Sequence, residues 1–207
     1  MIDTKVSSEM KKNVNIGTAS VDQGQKGKGL ISAGELAGRL AVTTPVLVIN
    51  GAKEGPTLWI NAAIQGDEVT GIEVARQVFE TVEPRNLLGS IVLTPLSNIT
   101  AFCSRSQNSP IDGLDLAYHC FPGNPNGKFS ERTSYTLFNL IKTNADYLID
   151  LHCTTADSIP YTNFSVSSTF KPEISQAIKE MAKAFGAGTI CQISSQTATR
   201  GFEGSLD

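Results

Sequence analysis

Two places in this chain carry side chains that could do chemistry together. Residues 65–68 read Gln-Gly-Asp-Glu, and residue 152 is one of only two histidines, the other being His119. Each place follows an apolar run, residues 57–63 before the first and residues 147–151 before the second. In open α/β sheets ligands bind outside the carboxyl ends of the strands, so parallel neighbours would bring Gln65, Glu68 and His152 to one edge. A carboxylate and an imidazole meeting there suit a divalent cation, zinc foremost. Each residue also has a plainer reading. Glu68 falls in the first turn of an expected helix, where the macrodipole favours an acid, and a lone histidine is often just packed or solvated. Asp67 reads as a helix-start residue. Asp150 shares a strand face with His152; there it either orients the ring or bonds to backbone. Cys153 points away from that face and is not read as a nucleophile.

The elements that must position these groups show in the apolar pattern. Val46-Leu47-Val48-Ile49, Leu58-Trp59-Ile60 and Ile91-Val92-Leu93 are short continuous runs, the pattern of strands buried on both faces. Ile72, Ala75, Val78, Phe79 and Val82 recur at helical spacing until Pro84. Ser130 is placed to cap a helix carrying Ser134, Leu137, Phe138 and Ile141. A last helix from Pro172 presents Ile174, Ala177, Ile178, Met181, Ala182 and Phe185, with Gly186 as its C-cap, before a strand at 189–193. Residues 97–128 show no period and read as a long irregular segment, and QGQKGKG at 23–29 reads as a flexible loop. The expectation is an α/β domain over 45–207 with helices on both faces of its sheet, preceded by a partly flexible extension over 1–44.

Composition narrows the function classes. Seventeen Lys and Arg against twenty Asp and Glu give a net charge of -3 in 207 residues, so there is no basic excess for nucleic acid. No apolar run reaches the roughly 18 residues of a membrane span, and the first residues lack the apolar stretch of a signal peptide. The expected location is the cytoplasm, with no nucleic-acid or membrane partner; the oligomeric state stays open. Cys103, Cys120, Cys153 and Cys191 form no CxxC pair and read as reduced, mostly buried thiols.

Taken in order, several motifs resemble the succinylglutamate desuccinylase/aspartoacylase family of zinc-carboxypeptidase-like enzymes. They are Pro45-Val46 through Gly51-Ala52, Gly55-Pro56-Thr57-Leu58, Gly66-Asp67-Glu68 with Gly71, Asn98, Arg105, and Asp112-Gly113-Leu114-Asp115-Leu116. Phe121-Pro122-Gly123, Ser130-Glu131-Arg132 and Asp150-Leu151-His152 follow, and the match covers about residues 40–205. The resemblance implies a mixed, mostly parallel sheet with helices on both faces, of the zinc-carboxypeptidase or phosphorylase/hydrolase type. It implies one zinc ion held by the His and Glu of an HGxE motif and by a later His. Glu68 and His152 take two of those positions, and Gln65 stands where the family has His. An amide oxygen is neutral like imidazole but a weaker zinc partner. Ala117, Tyr118 and His119 replace the Asn-Arg pair that holds a substrate carboxylate, which leaves Arg105, with Tyr118 and His119, to bind it. The family's general-base Glu lies in a stretch expected beyond Asp207, so the chain is expected to be part of a longer protein and no residue is assigned as base. The implied function is metal-dependent hydrolysis of an amide or ester bond in a small carboxylated N-acyl amino acid-like substrate. The alternative is a catalytically impaired member serving as a small-molecule binding or scaffold protein.

Overall fold

The computed structural model describes residues 13–153, 161–165 and 171–193. Five strands, β1 (Val14–Ile16), β2 (Ala19–Val21), β3 (Lys26–Glu35), β4 (Ala41–Asn50) and β5 (Lys53–Ala62), lead to helix α1 (Thr70–Thr81) and strand β6 (Leu88–Thr94). Three helices come next, α2 (Ile99–Ser104), α3 (Leu116–His119) and α4 (Phe129–Asn144), then β7 (Tyr147–Leu151). Strand β8 (Tyr161–Ser165), helix α5 (Pro172–Phe185) and strand β9 (Thr189–Ile193) complete the described chain, with β8 and β9 paired in parallel. No helix among the described residues is long and apolar enough to cross a membrane.

The main sheet has the order β3-β4-β6-β5-β7. Pairing is antiparallel from β3 through β4 to β6 and parallel from β6 through β5 to β7. Its apolar runs serve two cores by strict alternation. Val46, Val48, Trp59 and Val92 enter one core with Leu137 and Ile141 of α4 and with residues of β1, β2 and α3. Leu47, Ile49, Leu58, Ile60, Ile91 and Leu93 enter the other with Ala75, Val78 and Phe79 of α1. Both faces are therefore covered, which is why these runs are continuous rather than alternating in hydropathy.

Three local expectations are corrected. The QGQKGKG segment turns and then enters β3, and the boundary expected at 44 falls inside β4, so β3 and β4 share one sheet with β5, β6 and β7, while β1 and β2 form a separate ribbon packed into the same core. Gly27 and Gly29 are strand glycines: a Cβ at Gly29 would lie 2.3 Å from the Ala19 nitrogen, and one at Gly27 would lie 2.4 Å from a Val21 methyl. They allow the β1–β2 ribbon to lie directly on β3. Helix α4 starts at Phe129 rather than being capped by Ser130. Its first turn is held instead by Asp112, whose carboxylate accepts from the Ser130 N–H and hydroxyl at 2.7 Å each, and by Glu131, which accepts from the Lys128 N–H at 2.7 Å. Of the four thiols only Cys120 is buried, and Cys103 is exposed.

Gly71 lets α1 sit close to the sheet. A Cβ there would lie 2.9 Å from the Cβ atoms of both Ala62 and Leu151, the last residues of β5 and β7. Gly71→Ala gains about 1 kcal/mol of helix propensity but must displace packed atoms, at about 1–3 kcal/mol. Displacement outweighs propensity and sets the sign. We expect a net loss of about 1 kcal/mol in urea unfolding; unchanged or raised stability would show that the helix is not pressed against these strand ends.

Candidate metal site at the carboxyl edge

The parallel strands β6, β5 and β7 end together, and the chain leaving each end contributes to one cluster. At the end of β5, Ala63 holds a positive φ of 48° although it carries a Cβ, a strained conformation of the kind that gathers at functional sites. The turn is fastened to the segment after β6: Ser97 and Asn98 N–H groups donate to the Ala62 and Ala63 carbonyls, and the Asn98 amide donates to the Ile64 carbonyl. Gly66 then presses onto α2, where a Cβ would come within 2.1 Å of the Ala101 carbonyl carbon. Only glycine permits that approach, and it brings Gln65 and Glu68 to the edge.

Glu68 and His152 meet there. Glu68 Oε2 lies 2.7 Å from His152 Nδ1, and His152 Nε2 lies 3.0 Å from Asp150 Oδ2. The Asp150 side chain is 2% exposed, that of Glu68 15% and that of His152 30%. Apart from the ring, no donor among the described residues reaches the buried Glu68 Oε2. Burial pushes the imidazole towards its neutral form, but the carboxylates of Asp150 and Glu68 outweigh that and raise its pKa from 6.5 to about 11. Behind Asp150 stands Asn61, fully buried and directly opposite it in the β5–β7 register. Its amide donates to Asp150 Oδ1 at 2.7 Å.

Gln65 is 5% exposed and turned onto a second carboxylate. Its Nε2 donates to Asp115 Oδ2 at 2.8 Å, alongside Gln107 Nε2 at 2.6 Å, while Asp115 Oδ1 accepts from the N–H groups of Ala117 and Tyr118 and so caps α3. Because a carboxylate only accepts, the Gln65 carbonyl oxygen faces away from Asp115. Arg105 sits in the left-handed region just after α2, and Tyr118 and His119 end α3. All three side chains are exposed, and among the described residues none bonds to Gln65, Glu68 or His152. The structure thus brings Glu68 to His152, ties Gln65 to the start of α3, and leaves Arg105 just after α2 and Tyr118 and His119 at the end of α3, with no bond to that pair among the described residues. A polar indentation near Gln23, Asn50, Thr57 and Gly89 lies at the opposite, amino edge of the parallel strands.

The donor set suits a cation in part. Nε2 of His152 is engaged by a carboxylate and Nδ1 faces Glu68, the arrangement in which an outer carboxylate fixes the ring of a metal-binding histidine. Glu68 supplies an oxygen with no other partner among the described residues. No group of three His, Cys, Asp or Glu side chains among the described residues has metal-binding geometry. Sequence reasoning does not single out Asn61, Gln107 or Asp115 as site residues. Asn61 is detectable as the polar residue that follows the apolar run Leu58-Trp59-Ile60.

The profile described as "Succinylglutamate desuccinylase/Aspartoacylase catalytic domain" matches residues 54–206. The N-alpha-acetyl-L-2,4-diaminobutyric acid deacetylase of Halomonas elongata is 31% identical over 149 residues, covering 71% of this chain and 42% of that protein. The crystal structure of a succinylglutamate desuccinylase/aspartoacylase from Rhodobacter sphaeroides superposes with a TM-score of 0.75 at 26% identity, covering 90% of this chain and 56% of the other. An aspartoacylase family protein from Mesorhizobium loti gives 0.75 at 26% identity, with 96% and 61% covered. The chain spans roughly half the length of the relatives it matches.

The two carboxylates predict the protonation of the metal-free protein. A group whose pKa is raised on folding stabilises the fold fully below its unfolded value, and that contribution fades as pH climbs towards the folded value. His152 therefore keeps its proton at about pH 8.5, and its share of stability declines between about pH 6.5 and 11. Ring ¹⁵N shifts at that pH are expected to report an imidazolium at His152; a neutral ring would mean that Glu68 and Asp150 do not both face it.

Proposed function

Because the chain belongs to the succinylglutamate desuccinylase/aspartoacylase family, we propose that it forms the metal-holding part of a hydrolase. The bond cleaved is an amide, or an ester, in a small carboxylated N-acyl amino acid-like compound. The observation that carries this reading is the meeting of Glu68 and His152 at 2.7 Å on the carboxyl edge of the sheet. These two residues would hold one divalent cation, with the amide oxygen of Gln65 as third ligand. When bound, such an ion acts as a Lewis acid towards the scissile carbonyl and lowers the pKa of coordinated water.

The remaining residues position and select. Asp150 keeps the His152 ring in place from behind. Gln107 and Asp115 hold Gln65 against the start of α3, which carries Tyr118 and His119. Arg105, just after α2, and Tyr118 and His119, at the end of α3, would receive the substrate carboxylate, Arg105 supplying the full charge. A bidentate clamp from 118 and 119 is not available, because neither residue has a guanidinium.

With an amide oxygen in place of an imidazole nitrogen, zinc is bound more weakly than a full His-Glu-His set would bind it. One feature favours the second reading, a family member retained for small-molecule binding: the Gln65 amide is already committed to Asp115. Metal titration separates the two. We expect stoichiometric uptake of zinc or a harder divalent ion, lost in Glu68→Ala and in His152→Ala without loss of the fold. Gln65→His should raise zinc affinity by about tenfold or more, on the scale of changes around a metal ligand. Undiminished metal content in His152→Ala would overturn the assignment. A metal-free wild type that still binds N-acyl amino acids would establish the binding-protein reading.

A further inference from the structure

A chain of buried hydrogen bonds runs behind His152, and its direction is set at its far end. Trp59 is fully buried on β5, and its indole Nε1 donates to Thr94 Oγ1 at 3.0 Å. An indole N–H can only donate, so the Thr94 hydroxyl must pass its own hydrogen onward, to Asn61 Oδ1 at 2.9 Å. The Ser97 hydroxyl donates to the same oxygen. With its oxygen occupied by two donors, the Asn61 amide has one orientation: its nitrogen faces Asp150 Oδ1 at 2.7 Å. Asp150 then presents Oδ2 as an acceptor to His152 Nε2. Thr94, Asn61 and Asp150 lie side by side across β6, β5 and β7, paired in register.

We propose that Asn61 is a positioning residue for His152: held by Thr94 and Ser97, it keeps Asp150 turned as an acceptor towards Nε2–H and thereby aims Nδ1 at Glu68. The assignment rests on the functional reading above only in taking Nδ1 as the metal-facing nitrogen. A buried amide and a buried carboxylate sharing a bond leave little freedom, because any reversal would strand a donor or an acceptor away from water. Reversal is therefore testable by isosteric exchange.

In Asp150→Asn, Asn61 still offers an N–H, so the new amide must turn its oxygen to Asn61 and its nitrogen to the ring. His152 Nε2 becomes an acceptor and gives up its proton, leaving the ring neutral with its one N–H on Nδ1, towards Glu68. Exchanging both residues, Asn61→Asp with Asp150→Asn, restores the original direction: the carboxylate at 61 accepts from Thr94, Ser97 and the amide at 150, whose oxygen again faces Nε2–H. Asn61→Ala with Asp150→Asn restores it by a smaller change, since nothing then constrains the amide at 150, and it serves should the exchange not fold.

The experiment is a ¹H–¹⁵N spectrum of the histidine rings in the metal-free full chain, with thermal melts confirming that each variant is folded. Only two histidines are present, so assignment needs one His119 variant. We expect a hydrogen-bonded Nε2–H signal in the wild type, its loss in Asp150→Asn, and its return in either double variant. Calorimetric zinc titration should follow the same order, with affinity about 10–100-fold weaker in Asp150→Asn and recovered to within about tenfold in the double variants. An Nε2–H signal that persists in Asp150→Asn, or that neither double variant restores, would overturn the role of Asn61. If the wild type takes up no metal while the ring signals behave as expected, the functional reading fails and the positioning role stands.

Discussion

The Asp150 side chain is almost wholly enclosed near the end of β7, where burial is tolerated because both of its oxygens are met by donors. One donor comes from the neighbouring strand and the other from two residues further along its own chain. That requirement links fold to site. It needs β5 and β7 parallel and in register so that Asn61 faces Asp150, and it needs the chain leaving β7 to turn His152 back over its own carboxylate. Once the ring is held by its Nε2 side, its Nδ1 side points at Glu68 without further adjustment. Glu68 in turn has a partner for an oxygen that is otherwise buried unpaired.

The backbone is shaped to bring these side chains within reach. Gly71 lets α1 approach the last residues of β5 and β7, and Gly66 lets the preceding turn lie on α2. Ala63 accepts a left-handed conformation at the point where β5 ends, and the segment after β6 bonds to its carbonyl and to those on either side. Strain of about 1 kcal/mol at one residue is small beside the two cores that fix the strands on either face. The two glycines of the Gly66–Gly71 motif thus act through space left empty, while Glu68 acts through its charge.

Much of this architecture is legible in the sequence because apolar periodicity reports burial directly. The runs at 46–49, 58–60 and 91–93, and the helical stripe from Ile72 to Val82, mark the sheet and one covering helix with their approximate limits. The strand-end rule places Glu68 and His152 together on residue order alone, and the shared parity of Asp150 and His152 anticipates their contact. What is not legible depends on close backbone approach or on long-range hydrogen bonding. Gly27 and Gly29 carry the same letters in a loop as in a strand over which another ribbon passes, so the start of β3 reads as loop. Strand β8 lacks a strong apolar pattern and falls outside every expectation. Asn61, Asp115 and Gln107 act through partners 89, 50 and 8 residues away, a kind of relation that local patterns do not encode.

The replacement at position 65 fits the same physical logic. Asp115 is buried and carries four hydrogen bonds, two from backbone N–H groups at the start of α3 and two from glutamine amides. Whatever residue stands at 65 must supply Asp115 with a donor, since an apolar side chain would leave the carboxylate short of a partner. Imidazole and primary amide meet that demand alike: each offers one N–H to the carboxylate and keeps a lone pair on an atom directed elsewhere. The exchange is thus tolerated by the buried network, and its consequence is confined to the outward-facing atom, where a softer nitrogen is replaced by a harder oxygen. The demand of Asp115 for a donor is met by Gln65 as it would be by a histidine, while Glu68, His152 and Asp150 keep their own contacts.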